Sequence, residues 1–242
     1  MNPFCKIRIP GKIAAEIGSK IVYGHLPPGT ILETEMDASN ERSVSRSAYR
    51  EAVRTLVAKG LVQSRPKVGT RVTETTQWHL LDPDVLSWMF SEEPRRDLLV
   101  SLFELRNMFE PEAAALAATR HRPAELKDMA EALKIMTQET LHTDRGRQAD
   151  HDFHAALLAA SGNPFLISLS TSVTAAVTCS TKFKDRTQRL KRDAVPDHAR
   201  VYKAIAAGNA KAARKAMTRL IELALSDATQ VRHRPVPLRS RR

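Results

Sequence analysis

Residues 44–72 read VSRSAYREAVRTLVAKGLVQSRPKVGTRV, and this stretch decides the fold of the N-terminal part of the chain. Apolar residues recur at helical spacing from Ser45 to Lys59, and a glycine ends the pattern. Two short β-prone runs then flank a Pro-Lys-Val-Gly turn, which predicts a small hairpin. Further helices are predicted over 11–24 and near 33–39. Three helices followed by a hairpin are typical of a winged helix-turn-helix.

The helix predicted from Ser45 has the two faces that a helix in the DNA major groove needs. One face is an apolar stripe that would be buried: Tyr49, Val53 and Leu56. The opposite face carries arginines at four-residue intervals: Arg46, Arg50 and Arg54. Arg46 and Arg50 would project one turn apart toward bases or phosphates. A basic face that simply lies in solvent fits the same letters, so this pattern alone leaves both interpretations open.

The charge balance favours a polyanionic partner. The 242 residues carry a formal net charge of +11, and each phosphate that a basic residue neutralises releases condensed counterions. No run of eighteen apolar residues occurs and the N-terminus lacks a secretory pattern, so neither a membrane span nor a signal peptide is expected. Cys5 and Cys179 stand outside any metal-ligand spacing, which fits reduced thiols in a cytoplasmic protein.

The rest of the chain predicts only helices. A short apolar segment begins at Asp82-Pro83, and helical periodicity then continues in segments near 95–119, 123–140, 145–160, 164–184, 196–207 and 209–230. We therefore expect a winged helix-turn-helix over residues 1–75 and an all-α bundle of six or seven helices over 76–230. The basic tail over 231–242 has two prolines and little to pack, which predicts disorder.

Asp150 and His154 form a candidate metal-binding pair. Residues four apart on a helix lie on one face, so this carboxylate and this imidazole can chelate one divalent ion. His198, on a later helix that would have to pack against the first, is a candidate third ligand. A buried histidine that is satisfied by a neighbouring carboxylate fits the same residues, and the pattern does not separate the two interpretations.

Arg106 is the candidate for binding an anionic effector. It lies in an apolar stretch of a predicted helix, where a guanidinium requires a carboxylate partner. The alternative is an internal salt bridge with one of three acidic residues: Glu104, Glu110 or Asp150. Asn107 and Asn163 are further candidates for an effector pocket, although the sequence Gly162-Asn163-Pro164 also fits a simple helix stop.

The stretch from Val44 to Val72 resembles the DNA-binding region of the GntR family of bacterial regulators. That family shows V-S-R-x-x-V-R-E-A-L-x-x-L-x-x-x-G-L-V and then R-P-x-x-G-T-x-V. This chain has VSRSAYREAVRTLVAKGLV and RPKVGTRV in the same order. The resemblance implies that five residues approach DNA: Arg46, Ser47, Arg50, Lys67 and Gly69.

The helical part resembles the FCD ligand-binding domain of the FadR-type subgroup of that family. The residues that carry the resemblance are FELRN and EPEAA within 103–114, DHDFH at 150–154, SGN at 161–163, and His198. The resemblance implies a homodimer whose antiparallel helical bundle encloses an effector pocket. It also implies a divalent metal, zinc or nickel, on three residues: Asp150, His154 and His198. Leu220 occupies the position of the fourth ligand, a histidine, so water or the effector would complete the site.

A narrower resemblance concerns the effector. The pattern W-x-x-L-D-x-D-V-L-x-W at 78–88, followed by ELRNMFEP, is similar to regulators of sugar-acid catabolism. It implies a small carboxylate effector such as an aldonate. We therefore predict a sequence-specific repressor that binds a palindromic DNA operator and is released by that carboxylate. The alternatives are a metal-dependent enzyme, which leaves the winged helix unexplained, and a sequence-indifferent nucleic-acid-binding protein, which needs no pocket domain.

Overall fold

The computed structural model describes residues 9–42, 44–66, 68–188 and 192–229. The helices are α1 (Ile9–Val22), α2 (Glu35–Arg42), α3 (Arg46–Ala58), α4 (Pro83–Met89), α5 (Arg96–Arg120), α6 (Pro123–Glu139), α7 (Asp144–Ala160), α8 (Pro164–Ser168), α9 (Ser170–Arg186), α10 (Val195–Ala206) and α11 (Ala210–Thr229). The strands are β1 (Val62–Arg65) and β2 (Gly69–Val72). The described residues form two compact units, one within 9–99 and 164–183 and the other within 100–163 and 184–229.

The first unit begins with the predicted three helices and hairpin, which confirms the winged helix-turn-helix. α1 packs on α3 and α4, and α2 packs on α3. β1 and β2 pair antiparallel, with Val62 opposite Val72 and Arg65 opposite Gly69. Gly69 has a φ of +96°, which residues with side chains rarely adopt, so the turn of the wing requires glycine there.

Lys59 joins the end of α3 to the start of α4. Its side chain is buried, and its Nζ lies 2.7 Å from Asp82 Oδ1 and 2.8 Å from Asp84 Oδ2. Asp82 also caps α4, because its carboxylate accepts hydrogen bonds from the backbone N–H groups of Asp84 and Val85. The Lys59 ammonium lies 5.7 Å from the centroid of the Trp88 ring. The helix that would enter DNA is thereby fixed to the segment that follows the wing.

α1 and α4 approach each other closely at one glycine. A Cβ atom on Gly18 would lie 2.3 Å from the Trp88 ring, so only glycine allows this contact. The Tyr23 hydroxyl donates to the Met89 carbonyl at 2.8 Å and accepts from the Glu92 N–H at 2.7 Å. Packing and hydrogen bonds therefore both hold α4 against α1 and the residue Tyr23 that follows it.

Helices are the only regular secondary structure in the described residues of the second unit. α6 packs on α7, and α10 packs on both α6 and α11. Its core is apolar and includes the fully buried Met129, Met136, Phe153, Leu157, Val201 and Met217. The confirmed fold class is therefore mostly α, with a winged helix-turn-helix followed by a helical domain.

One predicted segment differs from the structure. The single helix expected over 164–184 is divided into α8 and α9, with Leu169 between them. Within the described residues after 76, the helices from α4 to α11 therefore number eight rather than six or seven. The predicted tail over 231–242 lies outside the described residues, and the domain boundaries at 75 and 230 stay predictions. No described helix is long and apolar enough to cross a membrane.

Candidate DNA-binding helix and buried metal site

The start of α3 is capped and open to solvent. Ser45 has an extended backbone, and its hydroxyl accepts a hydrogen bond from the Ala48 N–H at 3.2 Å. Tyr49 and Leu56 are buried as predicted, whereas Val53 is only half-buried and Ala52 takes its place in the stripe. At 100° per residue Ala52 lies on the same side of the helix as the buried Lys59, so the buried face is turned toward Ala52 and away from Val53.

The predicted DNA contacts of α3 are exposed, but they differ in their partners. Arg46 makes no hydrogen bond or ion pair among the described residues, and Ser47 lies 3.1 Å from the Ser45 hydroxyl. Arg50 donates from Nε and Nη2 to the Glu35 carboxylate on α2, at 2.7 and 2.5 Å. This bidentate hydrogen bond lowers the pKa of Glu35. Arg46 is therefore the arginine whose guanidinium is available.

The wing supplies the other two predicted contacts. Gly69 is exposed, and its positive φ shapes the turn. Lys67 lies outside the described residues. The placement of the wing on DNA therefore stays a prediction from the sequence.

The three predicted metal ligands meet inside the second unit. Asp150 and His154 lie one turn apart on α7, and His198 lies on α10. Each is only 3% exposed, and their ligand atoms all lie within 4.8 Å of one another. The Asp150 Oδ1 is 3.0 Å from the His198 Nε2 and 3.8 Å from the His154 Nε2. These neighbours outweigh the effect of burial and hold the pKa of the Asp150 carboxyl well below its usual range.

Both histidines are oriented through their Nδ1 atoms. The His154 Nδ1 lies 3.0 Å from Glu110 Oε2, and the His198 Nδ1 lies 2.9 Å from the Ala194 carbonyl. With Nδ1 donating in each ring, both Nε2 lone pairs would be available to a metal ion. Acceptors that bind the other ring nitrogen in this way orient histidine ligands of metals.

The three side chains fit a metal ion. The His198 Nε2 is buried, and although it lies near Asp150 it makes no aligned hydrogen bond with any described residue. Ligands about 2 Å from one ion lie about 3–4 Å apart, so small side-chain rotations would close the cluster around it. Phe153 packs edge-on against His198 with ring centroids 5.2 Å apart, and it shields the site from water.

Arg106 is buried and forms the internal salt bridge that the sequence left open. Its Nε lies 2.5 Å from Glu110 Oε1, and its guanidinium lies 5.1 Å from the centroid of the Phe103 ring. Burial raises the pKa of Glu110, but Arg106 and His154 lower it to about 2 overall. The Glu110 carboxylate therefore joins Arg106 to the candidate metal site.

The role of the two predicted asparagines in binding an effector stays a prediction. Asn107 is exposed on α5, although Arg106 beside it is buried. Asn163 is half-buried, and its N–H donates to the Ser161 hydroxyl at 3.3 Å. That bond, together with the φ of +62° at Gly162, is the geometry of a helix stop.

Two further charged residues lie near the candidate metal site, and the sequence does not predict this position for either. The sequence predicts Glu110 only as a possible partner of Arg106, because its contact with His154 depends on how α5 packs against α7. Lys184 is buried near Asp150, and burial lowers its pKa to about 8. The helical spacing could have indicated that Lys184 is buried, because it follows the buried Val177 and Ser180 on the same face of α9.

Known protein families match both the N-terminal and the C-terminal part of the chain. The profile of the bacterial regulatory proteins of the gntR family matches residues 11–72, and that of the FCD domain matches residues 101–223. The uncharacterized HTH-type transcriptional regulator YieP of Escherichia coli K12 is 35% identical over 65% of this chain and 70% of its own. The galactonate operon transcriptional repressor of the same strain is 33% identical over 67% of this chain and 71% of its own.

A solved structure supports the fold. It is that of Lar, which controls the expression of the Listeria monocytogenes agr system. With 22% identity and a TM-score of 0.67, it covers 96% of this chain and 100% of its own, and it shows the fold alone.

A winged helix-turn-helix joined to a helical ligand-binding domain defines a DNA-binding transcription regulator of bacterial type. The chain belongs to the GntR family and carries an FCD domain. The family and these relatives are regulators, so the alternative of a metal-dependent enzyme is set aside.

Proposed function

We propose that this regulator is a repressor of sugar-acid catabolism genes, which binds a palindromic operator as a homodimer in the cytoplasm and leaves it when a small carboxylate binds. The observation that carries the proposal is the buried cluster of Asp150, His154 and His198 in the FCD domain. Three convergent ligands and two nearby cations, Arg106 and Lys184, form a chemical environment suited to an anion. The likeness to the galactonate operon repressor supports an aldonate.

The three ligands would hold a divalent ion, zinc or nickel, and such an ion would supply a Lewis acid for a carboxylate oxygen. Leu220 is buried, and it has no ligand atom to offer in place of the fourth histidine. Three protein ligands with an open position suit a site that water or an effector completes. Arg106 stays a candidate for the effector, since its Nη1 makes no hydrogen bond among the described residues.

The DNA-binding part of the proposal is tested by selection. Random duplexes are selected with the full-length protein, and affinity for the enriched site is compared with that for a scrambled duplex. We expect a palindromic site that the protein prefers, and we expect galactonate to weaken its binding. Equal affinity for the scrambled duplex would instead support the sequence-indifferent protein. Binding that no carboxylate weakens would contradict a repressor released by an effector.

The metal part is tested by elemental analysis of protein purified without chelator. We expect near-stoichiometric zinc or nickel in the wild type and its loss in His154→Ala. His151→Ala is the matched control, because His151 lies on the same helix with a side chain that is 36% exposed. A wild type that stays metal-free after incubation with zinc would exclude the site.

A further inference from the structure

Lys184 is a buried cation without a carboxylate partner. The residue lies in the last turn of α9 and is 5% exposed. Among the described residues no salt bridge joins its ammonium to a carboxylate, and the two nearest acidic residues, Asp150 and Asp227, lie closer to other side chains. The other buried lysine and arginine side chains, Lys59 and Arg106, each form an ion pair with a carboxylate. Lys184 is therefore the buried lysine or arginine of the described residues that forms no ion pair.

An unpaired ammonium in the interior is unfavourable. Taking it out of water costs free energy that a carboxylate at contact distance would offset. Burial lowers the pKa of Lys184 to about 8, which still leaves the ammonium charged at neutral pH. The cation thus persists in a place where its own unit supplies no direct counterion.

The charges around Lys184 show what the site lacks. Asp150 and Asp227 attract its ammonium, whereas Arg106 and Arg192 repel it. Asp227 is already bound by Arg192 at 3.1 Å, and Asp150 lies 3.0 Å from His198. A divalent ion on Asp150 would take up the charge of that carboxylate as well. The side chains that could neutralise Lys184 are therefore engaged elsewhere.

The geometry points to Lys184 as the residue that binds the carboxylate of the effector and selects acids over neutral polyols. This inference rests on the proposed function, because it concerns the same site. A carboxylate placed against Lys184 would supply the missing counterion through a charge-assisted hydrogen bond. A polyol of equal length has no charge to offer, so it would leave the ammonium buried and unpaired.

A purely structural role for Lys184 makes the opposite prediction about stability. If the ammonium served as a counterion for Asp150 and Asp227, its removal would lower the melting temperature of the ligand-free protein. If it serves the effector, Lys184→Met removes an unpaired buried charge and keeps the volume. The ligand-free variant should then melt at or above the wild-type temperature.

The test uses the full-length, zinc-incubated protein and two probes, galactonate and the neutral polyol galactitol. Calorimetric titration and thermal shift are measured for the wild type, Lys184→Met and the control Lys182→Met, whose side chain is exposed on the same helix. We expect Lys184→Met to bind galactonate roughly 10- to 100-fold more weakly, which is the size of a lost hydrogen bond to a charged group. Lys182→Met should match the wild type, and the preference for galactonate over galactitol should fall only in Lys184→Met.

The outcomes separate the inference from the proposed function. Unchanged galactonate affinity in Lys184→Met overturns the inference and leaves the effector-responsive repressor intact. A lower melting temperature together with unchanged selectivity assigns Lys184 a structural role. If Lys184→Met does not fold, Lys184→Arg and Lys184→Gln replace it, and only the charged variant should retain selectivity. A wild type that binds none of galactonate, gluconate, lactate and citrate overturns the proposed function, and the inference with it.

Discussion

Arg46 and Arg50 lie one helical turn apart on α3, yet their guanidinium groups have different partners. Glu35 holds Arg50 at two points, while Arg46 has no partner among the described residues. The Arg50–Glu35 pair is exposed, so it adds little to the free energy of unfolding. Its effect is rather to fix the direction of Arg50 and to cancel its charge. Arg46 is therefore the residue that we expect to read a base.

Arg46→Ala should lower operator affinity by about 1–3 kcal/mol and relax the preference at one position of each half-site, because a bidentate contact to guanine is lost. Fluorescence anisotropy with the selected duplex and its single-base variants measures both effects. Lys215→Ala is the control, since it removes the same formal charge from an exposed position of α11.

Lys67 provides the contrast within the wing. Its substitution by alanine should weaken binding to every duplex alike and lower the salt slope by about one, as expected for a phosphate contact. If Arg46→Ala shows this same uniform loss, Arg46 binds the DNA backbone and does not read the sequence.

Glu110 should control metal affinity although it is not a ligand. Glu110→Gln weakens the acceptor that orients His154 and leaves Arg106 without its carboxylate. We expect zinc affinity to fall about 10- to 100-fold, in competition with a chelating indicator. Glu112→Gln is the matched control, because Glu112 lies on the same helix and pairs with Arg214 at the surface. Equal zinc affinity in both variants would show that Glu110 only serves the salt bridge.

At the scale of elements, the pattern of a helix or hairpin could be read from the sequence, but contacts between elements could not. The periodicity of residues 45–59 predicted α3, and the turn residues predicted the wing. The pairs Arg50–Glu35 and Lys59–Asp82 join residues 15 and 23 positions apart. Such pairs depend on how the helices pack, and no local spacing encodes that packing.

The candidate metal site, too, could be predicted only in part from the sequence. Asp150 and His154 could be paired because four residues make one turn, whereas His198 joined them only as a candidate and through the family resemblance. The sequence does not predict a buried Lys184, because a lysine in a helix usually lies in solvent. The sequence does not predict the division of residues 164–184 either, because both helices continue the same periodic pattern and neither glycine nor proline marks Leu169.

The contact between α3 and α4 yields a prediction about stability. Lys59→Met should lower the free energy of unfolding by about 1–3 kcal/mol, because it leaves Asp82 and Asp84 without their cation near the buried face of α4. Denaturant titration followed by circular dichroism measures the change. Lys20→Met is the control, since Lys20 pairs with Glu16 in solvent and should change stability by less than about 1 kcal/mol. Equal losses in the two variants would refute a structural role for the Lys59 contact.

At the scale of the whole molecule, the DNA-binding helix and the buried cluster belong to different units of one chain. No residue is proposed to touch both ligands, so any communication between them must appear as a coupling free energy. Such couplings are typically about 1–3 kcal/mol, which corresponds to a change in affinity of about 5- to 150-fold. The proposed function requires a coupling of this kind between the effector and the operator.

Coupling of this kind is reciprocal, and reciprocity gives the most stringent prediction. If galactonate weakens operator binding by a given factor, saturating operator must weaken galactonate binding by the same factor. The first factor is measured by anisotropy at increasing galactonate, and the second by calorimetric titration of galactonate into the protein with and without operator. A scrambled duplex serves as the control and should leave galactonate affinity unchanged at the same salt concentration. If galactonate binds equally well with and without operator, yet appears to release the protein, release does not come from galactonate bound to the protein; removal of the metal by galactonate or a change in ionic strength causes it instead, and the FCD domain does not sense the effector.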